Sequence, residues 1–126
     1  MSVKVKSKVK INQQKVKEIE QATLKSLEMT AEAMKTDLIS KGYMPFDTGT
    51  LQNESTFVDA EDVKNGKVSI ISSTPYARRL YYNADNLNIS TSNNPNAQDH
   101  WFEPYISGKD KDFAKNTFKK FMKNNL

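Results

Sequence analysis

The chain has 126 residues, no cysteine, 37% hydrophobic residues and a formal charge of +4, with a mean hydropathy of -0.74. That length makes one domain, residues 1–126, which buries roughly two-thirds of the surface its unfolded form exposes. Lack of cysteine excludes disulfide staples and cysteine-ligated zinc and suits synthesis in a cytoplasm, and no apolar run approaches the roughly 18 residues that span a bilayer.

Val3, Val5, Ser7, Val9 and Ile11 occupy odd positions, and Lys4, Lys6, Lys8 and Lys10 even ones. This period of two predicts a half-buried strand with lysines on its wet face. Lysine along a strand also protects an edge from unwanted pairing. The same residues suit a small basic nucleic-acid-binding module, although no aromatic is interleaved to stack on bases. The segment has no continuous apolar core, so it is not expected to be a signal peptide.

Asn12 is placed to cap a long helix running to about Lys41. Leu24, Leu27, Ala31, Met34 and Leu38 keep a 3-4-3-4 spacing, extended upstream by Val16 and Ile19, which puts one apolar stripe along the helix. Gly42 stands where a helix stops, with Pro45 soon after. Such a helix is about 45 Å long. It outreaches a small core, so part of its stripe is expected to meet another subunit or an appended sheet.

From Leu51 to Ser73 the pattern turns to β, with Thr56, Phe57 and Val58 as one strand and Val68, Ile70 and Ile71 as its return. Asn65-Gly66 between them is a hairpin signal. Thr74 and Pro75 read as the N-cap and first residue of a short helix through Leu80 to Tyr82. Residues 83–98 form a long polar loop with six asparagines, a length that is usually functional or mobile; Leu87-Asn88-Ile89 is a candidate short strand within it. Trp101, Phe102, Tyr105 and Ile106 return to the core. Phe113, Thr117, Phe118, Phe121 and Met122 make one face of a terminal helix. The order predicts an α+β fold: a small antiparallel β-sheet packed by one long N-terminal helix, a short central helix and a C-terminal helix.

Charge is unevenly spread. Six lysines precede the first acid, Glu18, and six more lie between Lys109 and Lys123, while the middle carries Asp47, Glu54, Asp59, Glu61 and Asp62. Opposed patches favour head-to-tail contacts between copies, and solvated faces are the plainer reading.

Several chemical readings compete. Asp47-Thr48-Gly49 matches the triplet of a dimeric aspartic protease, in which two carboxylates share a proton across a two-fold axis. It follows a helix end, however, and neither later glycine has the aliphatic lead-in such a site needs. As a turn it needs no catalysis, since Asp bonds backbone two residues on and Gly supplies positive φ. His100 beside Asp99 suggests a catalytic pair, but in extended chain the two face opposite ways and no nucleophile accompanies them. One histidine and scattered carboxylates do not make a metal site, no phosphate-binding glycine loop is present, and no cofactor is implied. Tyr76, Tyr81, Tyr82, Trp101, Phe102 and Tyr105 crowd around the asparagine loop, either as a satellite core beneath it or as an interface to which Arg78 and Arg79 contribute.

Four segments together resemble a known family: Pro45-Phe46-Asp47-Thr48-Gly49-Thr50-Leu51-Gln52, Ser73-Thr74-Pro75-Tyr76-Ala77-Arg78-Arg79-Leu80-Tyr81-Tyr82, Asn94-Pro95-Asn96-Ala97 and Trp101-Phe102-Glu103-Pro104-Tyr105. In order and spacing they are similar to the minor capsid proteins of tailed phages and prophages of Gram-positive bacteria, a branch of the head–tail joining (neck, tail-completion) proteins of siphophages. The wider family tends to follow its Tyr-Ala with an acidic residue and glycine, where this chain has Tyr81-Tyr82-Asn83-Ala84. The resemblance implies a non-catalytic virion protein, made in the bacterial cytoplasm, that joins a ring in the neck. By family analogy the ring is a hexamer between head-completion and tail-terminator proteins, and DNA passes through its lumen without sequence-specific contact. It also implies that the Asp47 turn joins helix to sheet and that Pro75-Tyr76-Ala77 fixes the second helix there.

Overall fold

The computed structural model describes residues 2–45, 56–73, 77–83, 86, 88–89, 91 and 94–126. These form a mixed α+β unit with helices α1 (Gln13–Lys41), α2 (Ala77–Tyr82), α3 (Glu103–Ile106) and α4 (Phe113–Asn125), and strands β1 (Thr56–Asp59) and β2 (Ser69–Ser72).

The bounds of α1 follow from its ends. The Asn12 side chain accepts the Lys15 backbone N–H at 3.1 Å, satisfying a donor that the first turn leaves without a partner. At the other end Gly42 adopts φ 66°, and its N–H bonds the Ile39 carbonyl. A side chain there would face both the left-handed backbone and Asn94, whose Cβ lies 3.2 Å from the position a Cβ would take. Glycine answers both.

The most buried line of α1 is Ala22, Ser26, Thr30 and Leu38, offset from the expected Leu24–Leu27–Ala31–Met34 stripe, whose first four members are only half-buried. Small residues let α4 pack close against the helix. Their polar atoms are satisfied locally: the Thr30 hydroxyl donates to the Ser26 carbonyl at 2.7 Å, and the Asn125 amide donates to the Ser26 hydroxyl at 3.1 Å. Upstream nothing covers the helix fully. Residues 13–21 are all exposed, with Val16 and Ile19 each 43% accessible.

The strand expected over Val3–Ile11 does not form. Residues 2–12 carry neither helix nor strand and are all exposed, Val5 and Val9 at 86%. A strand needs a ladder partner and a face to cover, and among the described residues this arm has neither.

β1 and β2 pair antiparallel in the register Thr56↔Ser72, Phe57↔Ile71, Val58↔Ile70 and Asp59↔Ser69. Asn65-Gly66 does not make the tight two-residue turn that its sequence suggests. Val63–Asn65 wind into one 3-10 turn, and Gly66 ends it at φ 80°. The Asp62 carbonyl collects both the Asn65 and Lys67 N–H groups, so the positive φ of Gly66 closes a longer loop, residues 60–68.

The core comprises Leu38, Tyr43, Met44, Trp101 and Tyr105, with Met34, Ile39, Leu80, Tyr81, Phe102 and Phe113 around it. Trp101 and Tyr105 thus belong to the main core, with Tyr81 and Phe102 packed against it, and not to a satellite beneath the loop; Tyr82 is 61% exposed. The core rings meet edge to face, as ring quadrupoles favour: Tyr81–Trp101 at 4.8 Å and 87°, Tyr43–Tyr105 at 6.0 Å and 78°. Ile106, expected inside, is 67% exposed, because α3 presents Pro104 and Tyr105 inward instead.

Candidate functional site

The four motif segments, where described, converge on the C-terminal end of α1. Trp101 is fully buried against Leu38 and Met44. The Tyr81 ring packs on Trp101 and Phe102, and the Tyr81 carbonyl accepts the His100 N–H at 2.8 Å. That joins the second motif to the fourth. The third closes over the start of the first: the Asn94 amide donates to the Met44 carbonyl at 2.9 Å, the Asn96 amide to the Lys41 carbonyl at 3.2 Å, and the Gln98 N–H to the Tyr43 carbonyl at 2.9 Å. Asn96 therefore takes the last carbonyl of α1, one that a helix end leaves over, while Asn94 and Gln98 hold the chain that follows Gly42.

Within this arrangement Ala77 and Pro104 are buried, Pro45, Tyr81 and Phe102 half-buried, and Pro95, Arg78 and Arg79 exposed. Asp47, Thr48, Gly49 and Leu51 lie outside the described residues, as do Pro75 and Tyr76, the Thr74 cap and Leu87. Asn88 and Ile89 form no strand.

A second group escaped the sequence reading. Lys41 Nζ stands 2.6 Å from Asp110 Oδ1 and 3.0 Å from Asp37 Oδ2. The Tyr43 hydroxyl donates to Asp110 Oδ2 at 2.7 Å, and the Tyr105 hydroxyl to Asp37 Oδ2 at 2.7 Å. Their protonation follows from these bonds. The Asp110 bond, outweighing burial, raises the Lys41 ammonium above its ordinary value, helped by Asp37. Burial pushes the Asp110 carboxyl up, yet Lys41 and Tyr43 together hold it below the usual range. Burial and the Asp37 carboxylate push the Tyr105 hydroxyl far up, and burial with the Asp110 bond raises Tyr43. Lys41 therefore stays an ammonium, Asp110 a carboxylate and both tyrosines neutral at neutral pH. The network is a clamp fastening the α3–α4 connection to α1. Only Asp37 and Lys41, four apart on one helix face, carried a signal for it.

No family model, curated protein or solved structure matches the chain.

His100 and Asp99 depart from the extended geometry expected of them. His100 takes φ 46°, which brings its Nδ1 to 3.1 Å from Asp99 Oδ1. The ring lies against Tyr81 and Tyr82 at 5.1 and 5.7 Å, and the Asn83 amide donates to the other Asp99 oxygen at 3.3 Å. Among the described residues no hydroxyl hydrogen-bonds the ring, and no group of three His, Asp or Glu side chains is placed to hold a metal ion. No helix of the described residues is long and apolar enough to cross a membrane.

What the molecule offers outward is surface. Arg78, Tyr81, Tyr82 and Phe102 line one open pocket with Trp101 at its base. A second, more apolar groove of about 340 Å³ runs between α1 and β2, lined by Leu27, Met34, Val68, Ile70, Phe102 and Ile106 among others. The basic arm, residues 2–12, stands apart from both.

Proposed function

We propose that the chain is a non-catalytic structural subunit at the head–tail junction of a tailed phage, part of the neck or tail-completion ring. One observation carries the reading: Val3, Val5, Val9, Ile11, Val16 and Ile19 are all left accessible along an arm and helix start that extend past the core. Aliphatic surface of that extent is stabilised when another subunit covers it. The four motifs that resemble neck proteins add the identity of the assembly, and the described parts of the second, third and fourth meet at the end of α1, which supports a shared role in holding one shape. The partners on this reading are copies of the chain in a hexameric ring, the head-completion protein on one side and the tail terminator on the other. DNA crosses the lumen without sequence-specific contact.

The test is a phage lacking the gene. Electron microscopy of its lysate should show DNA-filled heads and separate tails, and added purified protein should join them. Normal virions formed without the protein would sink the reading.

A small basic nucleic-acid-binding module is the second reading, favoured by the exposure of Lys4, Lys6, Lys8, Lys10, Lys15 and Lys17. It requires DNA binding that weakens steeply with salt and disappears when those lysines become glutamine. The dimeric protease, in contrast, requires a peptidase activity that Asp47→Asn abolishes.

A further inference from the structure

We propose that the arm, residues 2–11, of one copy docks as an added strand in the apolar groove of a second copy, beside β2. The inference rests on the assembly reading only in needing copies of the chain to associate. The arm has a strand's alternation without a strand's partner, and β2 pairs with β1 and no other strand among the described residues. An exposed strand edge is a template for main-chain pairing, with alternate side chains supplying specificity.

The two faces of the arm match the two faces of the hairpin. Val58 and Ile70 are partners across the ladder, and Val68 and Ile70 line the groove. Laid beside β2, odd residues of the arm point to the groove side, and at about 3.3 Å per residue the stretch from Val5 to Val9 matches its length, so these two meet Val68, Ile70 and Ile106. That covers Ile106, which the subunit alone leaves 67% exposed. Even residues point to the opposite face, where Phe57, Ile71 and Asp59 lie. Lysine stems there can lie over Phe57 and Ile71, with their ammonium groups directed to Asp59 and to Glu61 and Asp62 at the loop. The charges are complementary: four lysines and no acid in the arm face three acids within residues 59–62, with Lys64 and Lys67 on the far limb of the loop. A second copy supplies the arm because the arm's own subunit does not hold it. Residues 2–21 are exposed throughout, and the Asn12 cap fixes where the arm leaves the helix.

The chain has no cysteine, so single thiols report the contact. Val5→Cys and Ile106→Cys, both at exposed positions, are made in separate full-length proteins and mixed under mild oxidation. A mixed disulfide between them should form at least tenfold faster than one between Val5→Cys and Lys123→Cys on α4. Sedimentation of the unmodified protein should show self-association that weakens with salt. Val5→Asp with Val9→Asp should weaken it by roughly tenfold or more, as loss of two buried aliphatic contacts requires. Equal coupling at Ile106 and Lys123 overturns the inference. So does closure of a monomeric disulfide in the Val5→Cys, Ile106→Cys double variant, which would put the arm in its own groove. A wild-type chain that stays monomeric up to about 1 mM overturns it as well. Lysine-to-glutamine changes that abolish DNA binding while leaving self-association untouched assign the arm to nucleic acid instead. Self-association that ignores the aspartates removes the arm and leaves the ring; phage that join heads to tails without the protein remove the ring and leave the crosslink.

Discussion

Replacing Asp110 by alanine removes the central acceptor of the clamp, and its cost follows from the geometry. The side chain is 13% exposed and receives two short bonds, 2.6 Å from Lys41 and 2.7 Å from Tyr43. Lys41 keeps Asp37 at 3.0 Å and stays partly solvated. Tyr43, 3% exposed, is left with a buried hydroxyl whose acceptor is gone. Charge-assisted bonds contribute about 1.5–3 kcal/mol each and an orphaned buried donor costs about 1–3, so Asp110→Ala should destabilise by roughly 3 kcal/mol. Tyr43→Phe, which removes one charge-assisted bond and leaves Asp110 still bonded to Lys41, should cost about 1.5 kcal/mol. The two should be non-additive, because they share that bond. Trp101 is the single tryptophan and fully buried, so urea unfolding followed by its fluorescence reads all four corners of the cycle. The pH dependence is a separate check. Asp110 is held below its ordinary value near 3.8, so its stabilisation is fully present above that value. It is lost as pH falls through the lower, folded one, and Asp110→Asn should flatten that part of the profile. A cost below about 0.5 kcal/mol, in the range of an ordinary surface change, together with strict additivity, would refute the clamp.

Tyr105→Phe should make alkaline unfolding shallower. The folded hydroxyl is raised well above its ordinary 10.0, so its contribution is complete below pH 10 and is lost as pH climbs and the unfolded chain ionises; Lys41 and Tyr43, both raised, keep part of the slope. Gly42→Ala should cost about 1–2 kcal/mol from the left-handed backbone alone, with the Asn94 contact adding to it, as thermal melting will show. Asn12→Ala should remove about 1 kcal/mol of local capping. Hydrogen exchange should then speed over residues 13–20, with global stability within about 0.5 kcal/mol, since that end carries little tertiary contact.

Local signals were the legible ones. The bounds of α1 were readable because a cap and a stop residue act on neighbouring backbone groups, and the strands because β-branched and aromatic residues cluster on either side of Asn65-Gly66. Val3–Ile11 failed for the complementary reason: alternation states that a segment suits a strand and says nothing of whether a partner lies in the same chain. Asn65-Gly66 was misread because a positive φ serves a loop closed on Asp62 as well as a tight turn. The offset of the α1 stripe came from α4, whose close approach selects small residues that hydropathy does not flag. At the candidate site, the aromatic segments were visible as composition, but their meeting at one helix end was not. Asp110 pairs with residues 69 and 67 positions away, and such distances leave no periodic trace.

That distance has a consequence for the protein's birth. Leu38, Tyr43 and Met44 leave the ribosome long before Trp101 and Tyr105, the residues that cover them, and before Asp110, which locks Lys41 in place. A nascent chain therefore carries its bare apolar surface through most of synthesis, with α1 able to form but nothing yet to close on it. Closing this core waits for the last quarter of the sequence. Chains stalled before residue 101 should be found with the cell's chaperones, and released full-length chains should not.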